Sequence, residues 1–320
     1  YTNVAVQYNN VLVRGVHNGQ RFLRKDTLSP KLFEPTNDKN ATFHNLFGTP
    51  LQMVEFEDIA AARKYIASRK DVTGSDIHGN VNWQYQYITE NYSGSIAFDP
   101  SLITVFAIDI ETTTEHGFPN IDSPTEQVSL ITICDINQKK TTTYGLFGDY
   151  SSDRENFTYK SFKTEAELFQ AFLDDWNKNP PDVITGWNMS LFDIPYIVNR
   201  IAFVLGENSV KMLSPWRMVE VREVTFRNKK MTAYDLVGIT QLNYLDLYQK
   251  FTQSAKESYK LDFIARLELG VGKLENPYGT FKEFYQKDWR LFVEYNITDV
   301  DRVVQLDEKM RLLELVYTMS

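Results

Sequence analysis

The sequence predicts an α/β protein: a mixed sheet with flanking helices, preceded by a smaller, mainly β N-terminal domain. Three observations predict it. The run Ile103-Thr-Val-Phe-Ala-Ile-Asp-Ile-Glu111 is almost continuously apolar and β-branched, as a strand covered on both faces must be. Behind it, strand-like and helix-like segments alternate, which requires helices packed on a sheet. Ahead of it, residues 1–98 read differently, with short apolar stretches broken by polar loops.

In the first stretch, Val4-Ala5-Val6-Gln7-Tyr8 and Asn10-Val11-Leu12-Val13 are strand candidates, and Asn37-Asp38-Lys39-Asn40 is a loop. One helix is expected over about Phe56–Arg69. In the second stretch, Gln127–Ile136 and Lys140–Leu146 follow the first strand, joined by a tight turn at Asn137-Gln138. Leu168, Phe169, Phe172, Leu173 and Trp176 recur with a helical period over Thr164–Trp176, and Pro180-Pro181 ends that helix. Asp182–Trp187 is a short buried strand. Ile194–Leu205 is a helix that tolerates Pro195 in its first turn. Val219–Phe226 and Met231–Gly238 form an exposed hairpin about the basic turn Arg227-Asn228-Lys229-Lys230. Helices over Tyr259–Leu269 and Asp288–Leu315 close the chain. That order is compatible with a ribonuclease-H-like fold, with domains expected at residues 1–98 and 99–320.

Composition narrows the function. With 34 Lys and Arg against 42 Asp and Glu, the formal charge is −8, which argues against nonspecific wrapping of long duplex nucleic acid. Local contact with a few nucleotides stays open, above all where carboxylates hold metal ions. No apolar run reaches the ~18 residues a membrane span needs, so no membrane partner is expected. The single cysteine, Cys134, leaves no internal disulfide or Cys-based zinc site and fits a reducing, cytoplasmic setting. His17, His44 and His78 show no ligand spacing. The start, Tyr1-Thr2-Asn3-Val4, has no leader pattern and is read as trimmed. The 21 Phe, 18 Tyr and 5 Trp serve a core more readily than a stacking surface.

The chemistry lies in three groups of residues. Asp109 and Glu111 are two apart on a strand, so both leave the same face, near the carboxyl end where open α/β sheets place ligands. Two carboxylates beside apolar residues need a cation or a proton, unless the strand has already reached solvent there. Thr185-Gly-Trp-Asn-Met-Ser-Leu-Phe-Asp193 joins the second buried strand to a helix, where Asp193 is also a natural N-cap. Tyr295-Asn-Ile-Thr-Asp299 lies in the last helix, with Tyr295 and Asp299 on one face. They are either a structural pair or residues of a cleft.

The joint order changes the reading of each piece. An acid pair, Asn188-x-x-x-Phe-Asp193 and Tyr295-x-x-x-Asp299 follow one another as do the three motifs of the DEDD exonuclease superfamily in its Tyr-bearing branch. More closely, the chain resembles the N-terminal and 3′–5′ exonuclease regions of a family B DNA polymerase. Thr185-Gly-Trp-Asn, Phe192-Asp-Ile-Pro-Tyr-Ile-Val-Asn-Arg200, Tyr244-Leu-Asp-Leu-Tyr-Gln-Lys-Phe251 and Tyr295-Asn-Ile-Thr-Asp-Val300 are similar to those of T-even-type bacteriophage replicative polymerases. The likeness is carried by about residues 99–320. The polymerase palm motifs are not among these residues, so no DNA extension is expected from them.

The resemblance implies a metal-dependent, proofreading 3′–5′ exodeoxyribonuclease. Asp109, Glu111, Asp193 and Asp299 would hold two Mg²⁺ (or Mn²⁺) ions, since such ions favour carboxylate oxygen. Tyr295 would orient the attacking water, because a phenol with a pKa near 10 is a poor base at neutral pH. Phe118, in the loop Glu115-His-Gly-Phe-Pro119, would wedge against a terminal base or else tuck into the domain. Asn188 and Phe192 would contact the last nucleotides, with Phe192 equally suited to the core. The basic turn fits either phosphate contact or plain solvation, and Asp246 reads as structural or as a neighbour of the acids. Expected partners are a single-stranded or frayed DNA 3′ end and the remaining polymerase domains of a longer protein, on a monomeric chain in the cytoplasm of a phage host. The alternatives are a catalytically silent single-strand-binding module and an RNA-directed nuclease of the same superfamily.

Overall fold

A computed structural model describes residues 1–70, 76–80, 82–94, 99–226 and 229–319. The chain separates into two compact units, Tyr1–Phe98 and Asp99–Ser320. In the first, β1 (Asn3–Gln7), β2 (Asn10–His17) and β3 (Gln20–Asp26) form an antiparallel sheet in that order. A second antiparallel sheet is made by β4 (Lys31–Pro35), β5 (Phe43–His44) and β6 (Pro50–Glu55) in the order β4-β6-β5. The expected helix is α1 (Ile59–Arg69), started by Asp58, whose carboxylate accepts the Ala61 amide at 2.7 Å. A second helix, α2 (Trp83–Asn91), corrects the expectation of one. Trp83 and Tyr87 explain it, since they pack with Val11, Val13, Leu32 and Ile59 in the core of this unit.

The second unit is built on six strands: β7 (Val105–Thr112), β8 (Val128–Asp135), β9 (Lys140–Gly145), β10 (Phe157–Ser161), then after α3 (Glu165–Lys178) β11 (Val183–Gly186). There follow α4 (Asp193–Leu205), the short α5 (Glu207–Val210), the hairpin β12 (Val219–Phe226) and β13 (Lys229–Leu236), and β14 (Thr240–Asn243). The helices α6 (Tyr244–Phe251), α7 (Leu261–Leu269), α8 (Phe281–Lys287), α9 (Trp289–Met310) and α10 (Leu312–Met319) complete it. The sheet order is β10-β9-β8-β7-β11-β14. β8 runs antiparallel to β7 and β9, whereas β10, β11 and β14 pair in parallel with their neighbours. No described helix is long and apolar enough to cross a membrane.

Alternation along β7 sets what each face does. Ile108 and Ile110 join the core formed with α3 and α4, through Leu168, Phe172, Ile197 and Ile201. Val105 and Ala107 face the opposite layer with Val300 and Val303 of α9, so Asp109 and Glu111 follow them to that side. α3 begins with a capping box in which Thr164 and Glu167 satisfy each other's backbone amides.

Two expectations about boundaries are corrected. The turn between β8 and β9 spans four residues, 136–139, with Lys139 in the left-handed region at φ 51°. The closing helix expected over Asp288–Leu315 is broken at Arg311, φ 53°, with no Gly or Pro to mark it. Asp307 makes the break workable: its carbonyl accepts the Arg311 amide at 2.7 Å and its carboxylate accepts the Leu313 amide at 3.0 Å.

Candidate active site

The site forms where β7, the start of α4 and the middle of α9 meet. On β7 the register with β8 shifts between Glu111 and Thr112, which pair with Leu130 and Val128. The extra residue, Ser129, donates its hydroxyl to the Glu111 carbonyl at 3.0 Å, so a bulge fixes the backbone of this acid. Asp193 is the first residue of α4 but not its cap; Phe192 holds that position without a side-chain hydrogen bond. Its carboxylate instead accepts the Ile110 amide at 3.1 Å, which fastens it to β7 between Asp109 and Glu111. Close approach of the strands beneath is permitted by Gly186, where a Cβ would lie 2.5 Å from the Ile108 carbonyl.

From α9, Asn296 donates to Asp109 at 2.7 Å, and Asp299 forms an ion pair with Lys273. Asp109, Glu111 and Asp299 each offer a carboxylate oxygen within 4.8 Å of the others. Asp193 is not one of that close trio, but it lies near enough to Asp109 and Asp299 for mutual repulsion. Tyr295 is on the same side of α9, with the Lys273 ammonium 4.9 Å from its ring centroid.

Lys273 and Asn296 were not assigned roles from sequence. Asn296 sits inside the Tyr-x-x-x-Asp segment, and its position one turn short of Val300 is the only signal. Lys273 has none, being placed by its loop. Its amide donates to Asp262 at 2.8 Å, and the Gly272 carbonyl accepts from Arg302 at 2.8 Å. Any side chain at Gly272 would strike Asp262 and Arg266.

Electrostatics mark this as a strained set of charges. Burial, then the repulsion of neighbouring acids, holds Asp109 and Glu111 well above the usual carboxylate range. Burial lifts Asp193 to about 7 and Asp299 to about 6, the latter in spite of Lys273. Burial works against the Lys273 charge, yet the neighbouring carboxylates, Asp299 first, keep it firmly protonated. Tyr295 is pushed up to about 12, chiefly by burial, so its hydroxyl stays neutral. The other carboxylate oxygen of Asp299, Oδ1, is buried with no hydrogen-bond partner. Four oxygen-donor acids with one lysine and an unpaired carboxylate oxygen fit a hard divalent cation.

The substrate-side residues are placed less tightly. Phe118 is 88 % exposed rather than tucked in, and its ring lies 6.2 Å from that of Phe192. Phe192 is half-buried and stacks on Tyr196 at 5.6 Å. Asn188 is half-exposed in the same loop, in the left-handed region at φ 67°, a backbone demand that itself favours Asn. Arg227 and Asn228 lie outside the described residues; Lys230 makes an exposed ion pair with Glu223 at 2.8 Å. Asp246 is exposed in the first turn of α6, where it suits the helix N-terminus.

A family model described as "DNA polymerase family B, exonuclease domain" matches residues 54–264. The chain belongs to this family. As a family B exonuclease domain it is 29 % identical over 328 residues to the DNA-directed DNA polymerase of Escherichia phage RB69, covering 95 % of this chain and 36 % of that protein. It is 26 % identical over 346 residues to the DNA-directed DNA polymerase of Enterobacteria phage T4, covering 100 % of this chain and 38 % of the relative. Similarity extends to the DNA polymerase of Bombyx mori nuclear polyhedrosis virus, 27 % over 165 residues, or 49 % of this chain and 16 % of that one. The chain thus spans little more than a third of its phage relatives. The expected family and the mixed sheet with flanking helices both stand, as does a divalent-metal nuclease site in general outline.

Proposed function

We propose that this domain is the proofreading 3′–5′ exodeoxyribonuclease of a phage-type replicative DNA polymerase, acting on single-stranded or frayed 3′ ends. The observation that carries the reading is the convergence of Asp109, Glu111 and Asp299 within 4.8 Å, with Asp193 tied to the backbone between the first two. In this reading Asp109, Glu111, Asp193 and Asp299 would hold two Mg²⁺ or Mn²⁺ ions through their carboxylate oxygens. Such ions supply an activated water and charge stabilisation for phosphodiester hydrolysis.

The protein's own groups do the rest. Asn296 fixes one Asp109 oxygen, leaving the other for bonding. Tyr295, kept neutral, orients water through its hydroxyl rather than removing a proton. Lys273 offsets the negative field of the acids and sits where an anionic phosphate would approach. Phe118, Asn188 and Phe192 line the approach of the terminal nucleotides. A mispaired end unstacks at lower cost, so selectivity needs no base readout. Within a longer protein the remaining polymerase domains would deliver that end.

The test is a time course with 5′-labelled oligonucleotides in Mg²⁺. Ladder-wise shortening from the 3′ end, abolished by chelator, is the expected result. Binding without shortening would instead identify a silent single-strand-binding module, and faster cleavage of an RNA oligonucleotide would reassign the substrate.

A further inference from the structure

Glu126, just ahead of β8, lies outside the acid trio and is only 3 % exposed. Its carboxylate accepts the Thr113 hydroxyl, the Glu115 amide at 2.8 Å and the His116 amide at 2.6 Å. Burial opposes its charge, but these donors outweigh burial and hold the carboxyl below the usual range. Its backbone carbonyl accepts the Tyr196 hydroxyl at 2.8 Å. One residue therefore ties the segment after β7 to α4, the helix that begins with Asp193.

The same segment is held from the other side. Glu115 accepts the Tyr285 hydroxyl at 2.6 Å and an ion pair from Lys282, both on α8. Directly after these anchors come Gly117, at φ 111°, and the exposed Phe118. Phe118 faces Phe192, which stacks on the Tyr196 that Glu126 holds. An exposed aromatic on an immobilised loop has its ordering cost met before binding, which is what a base-stacking platform needs.

We propose that Glu126 is a positioning residue of the nuclease, holding residues 113–116 so that Phe118 stands ready to stack on the terminal base. The proposal rests on the exonuclease reading above. Glu126→Gln keeps the shape but turns an amide NH₂ toward backbone N–H donors, loosening the loop. The expected result is a KM for single-stranded oligonucleotide raised about tenfold, the order of one lost base stack, with kcat within about twofold of the parent. Phe118→Ala raises KM similarly, and Glu126→Gln adds less than about twofold in that background, because both remove the same contact. Thr113→Val, which removes one bond only, gives a smaller rise and serves if Glu126→Gln does not fold. A 3′-terminal 2-aminopurine, read by fluorescence in chelator, is quenched by the parent and less so by each variant.

A parent chain that shortens no oligonucleotide sinks the exonuclease reading and this inference with it. A parent that does, with Glu126→Gln unchanged in KM, lowered in kcat alone, or multiplying in full with Phe118→Ala, overturns the Glu126 assignment and leaves the exonuclease standing.

Discussion

Replacing Asp193 by Asn should stabilise the metal-free protein at pH 8 and abolish most of its nuclease activity. Burial raises this carboxyl from 3.8 to about 7. At about 1.4 kcal/mol per tenfold change in proton affinity, ionising it costs the native state at most about 4 kcal/mol. The native chain binds this proton more firmly than the unfolded one. Its contribution is therefore fully present below about pH 4 and is lost as pH rises through about 7. Asparagine keeps an oxygen for the Ile110 amide but introduces N–H donors to a buried site, which returns about 1–3 kcal/mol. The net gain is about 2 kcal/mol, or about 4–8 °C in the transition of the 99–320 unit. Thermal unfolding in chelator at pH 5 and pH 8 measures it. The parent should lose more stability between the two than the variant, which keeps only the losses due to Asp109, Glu111 and Asp299, and saturating Mn²⁺ should favour the parent. An equal shift at both pH values would refute the reasoning, because the effect would then owe nothing to the carboxylate charge.

The other predictions share this logic of charges that need partners. Asp109→Ala with Glu111→Ala should slow hydrolysis at least about a hundredfold, about 2.7 kcal/mol of barrier, without lowering the melting temperature in chelator. A loss of less than about tenfold would remove both acids from the reaction. Lys273→Met leaves the acids without their cation and should lower stability in chelator at pH 8 by about 3 kcal/mol. Divalent ions should restore most of it, and an equal deficit with and without Mn²⁺ would contradict the shared-field account. Glu165→Ala strands the Arg200 guanidinium, which Glu165 meets at 2.6 Å with both side chains about 95 % buried. Urea unfolding should show a loss of about 3–5 kcal/mol, and a loss under about 1 kcal/mol would mean that the loop carbonyls around Arg200 suffice.

Where the sequence was legible, one residue choice sufficed to decide local structure. The apolar run of β7 could only be a covered strand, and its period of two put Asp109 and Glu111 together. The apolar recurrence of α3 with Thr164 and Glu167 marked a helix and its start. Illegible elements were those whose stability comes from elsewhere. β10 is a half-buried edge strand with no strong alternation, and α8 is seven residues long, too short for a period to show. The break at Arg311 depends on Asp307 and not on a helix-breaking residue. At the site, the four acids and Tyr295 are singled out in sequence by their order, whereas Lys273 is one cation among 34 Lys and Arg and gains meaning only through its loop. Asp193 read equally as a cap until its bond to Ile110 was seen.

The position of β7 also governs when the pocket can exist. Its antiparallel partner β8 is near in sequence, but its parallel partner pairs Val183 with Val105, and Asp299 arrives on α9 later still. Contacts that close such long loops form slowly, and a chain emerging from the ribosome cannot make them until α9 has been translated. The cluster of Asp109, Glu111 and Asp299 therefore cannot assemble until nearly the whole of this unit has been synthesised, and a chain that stops before α9 lacks one of its three acids.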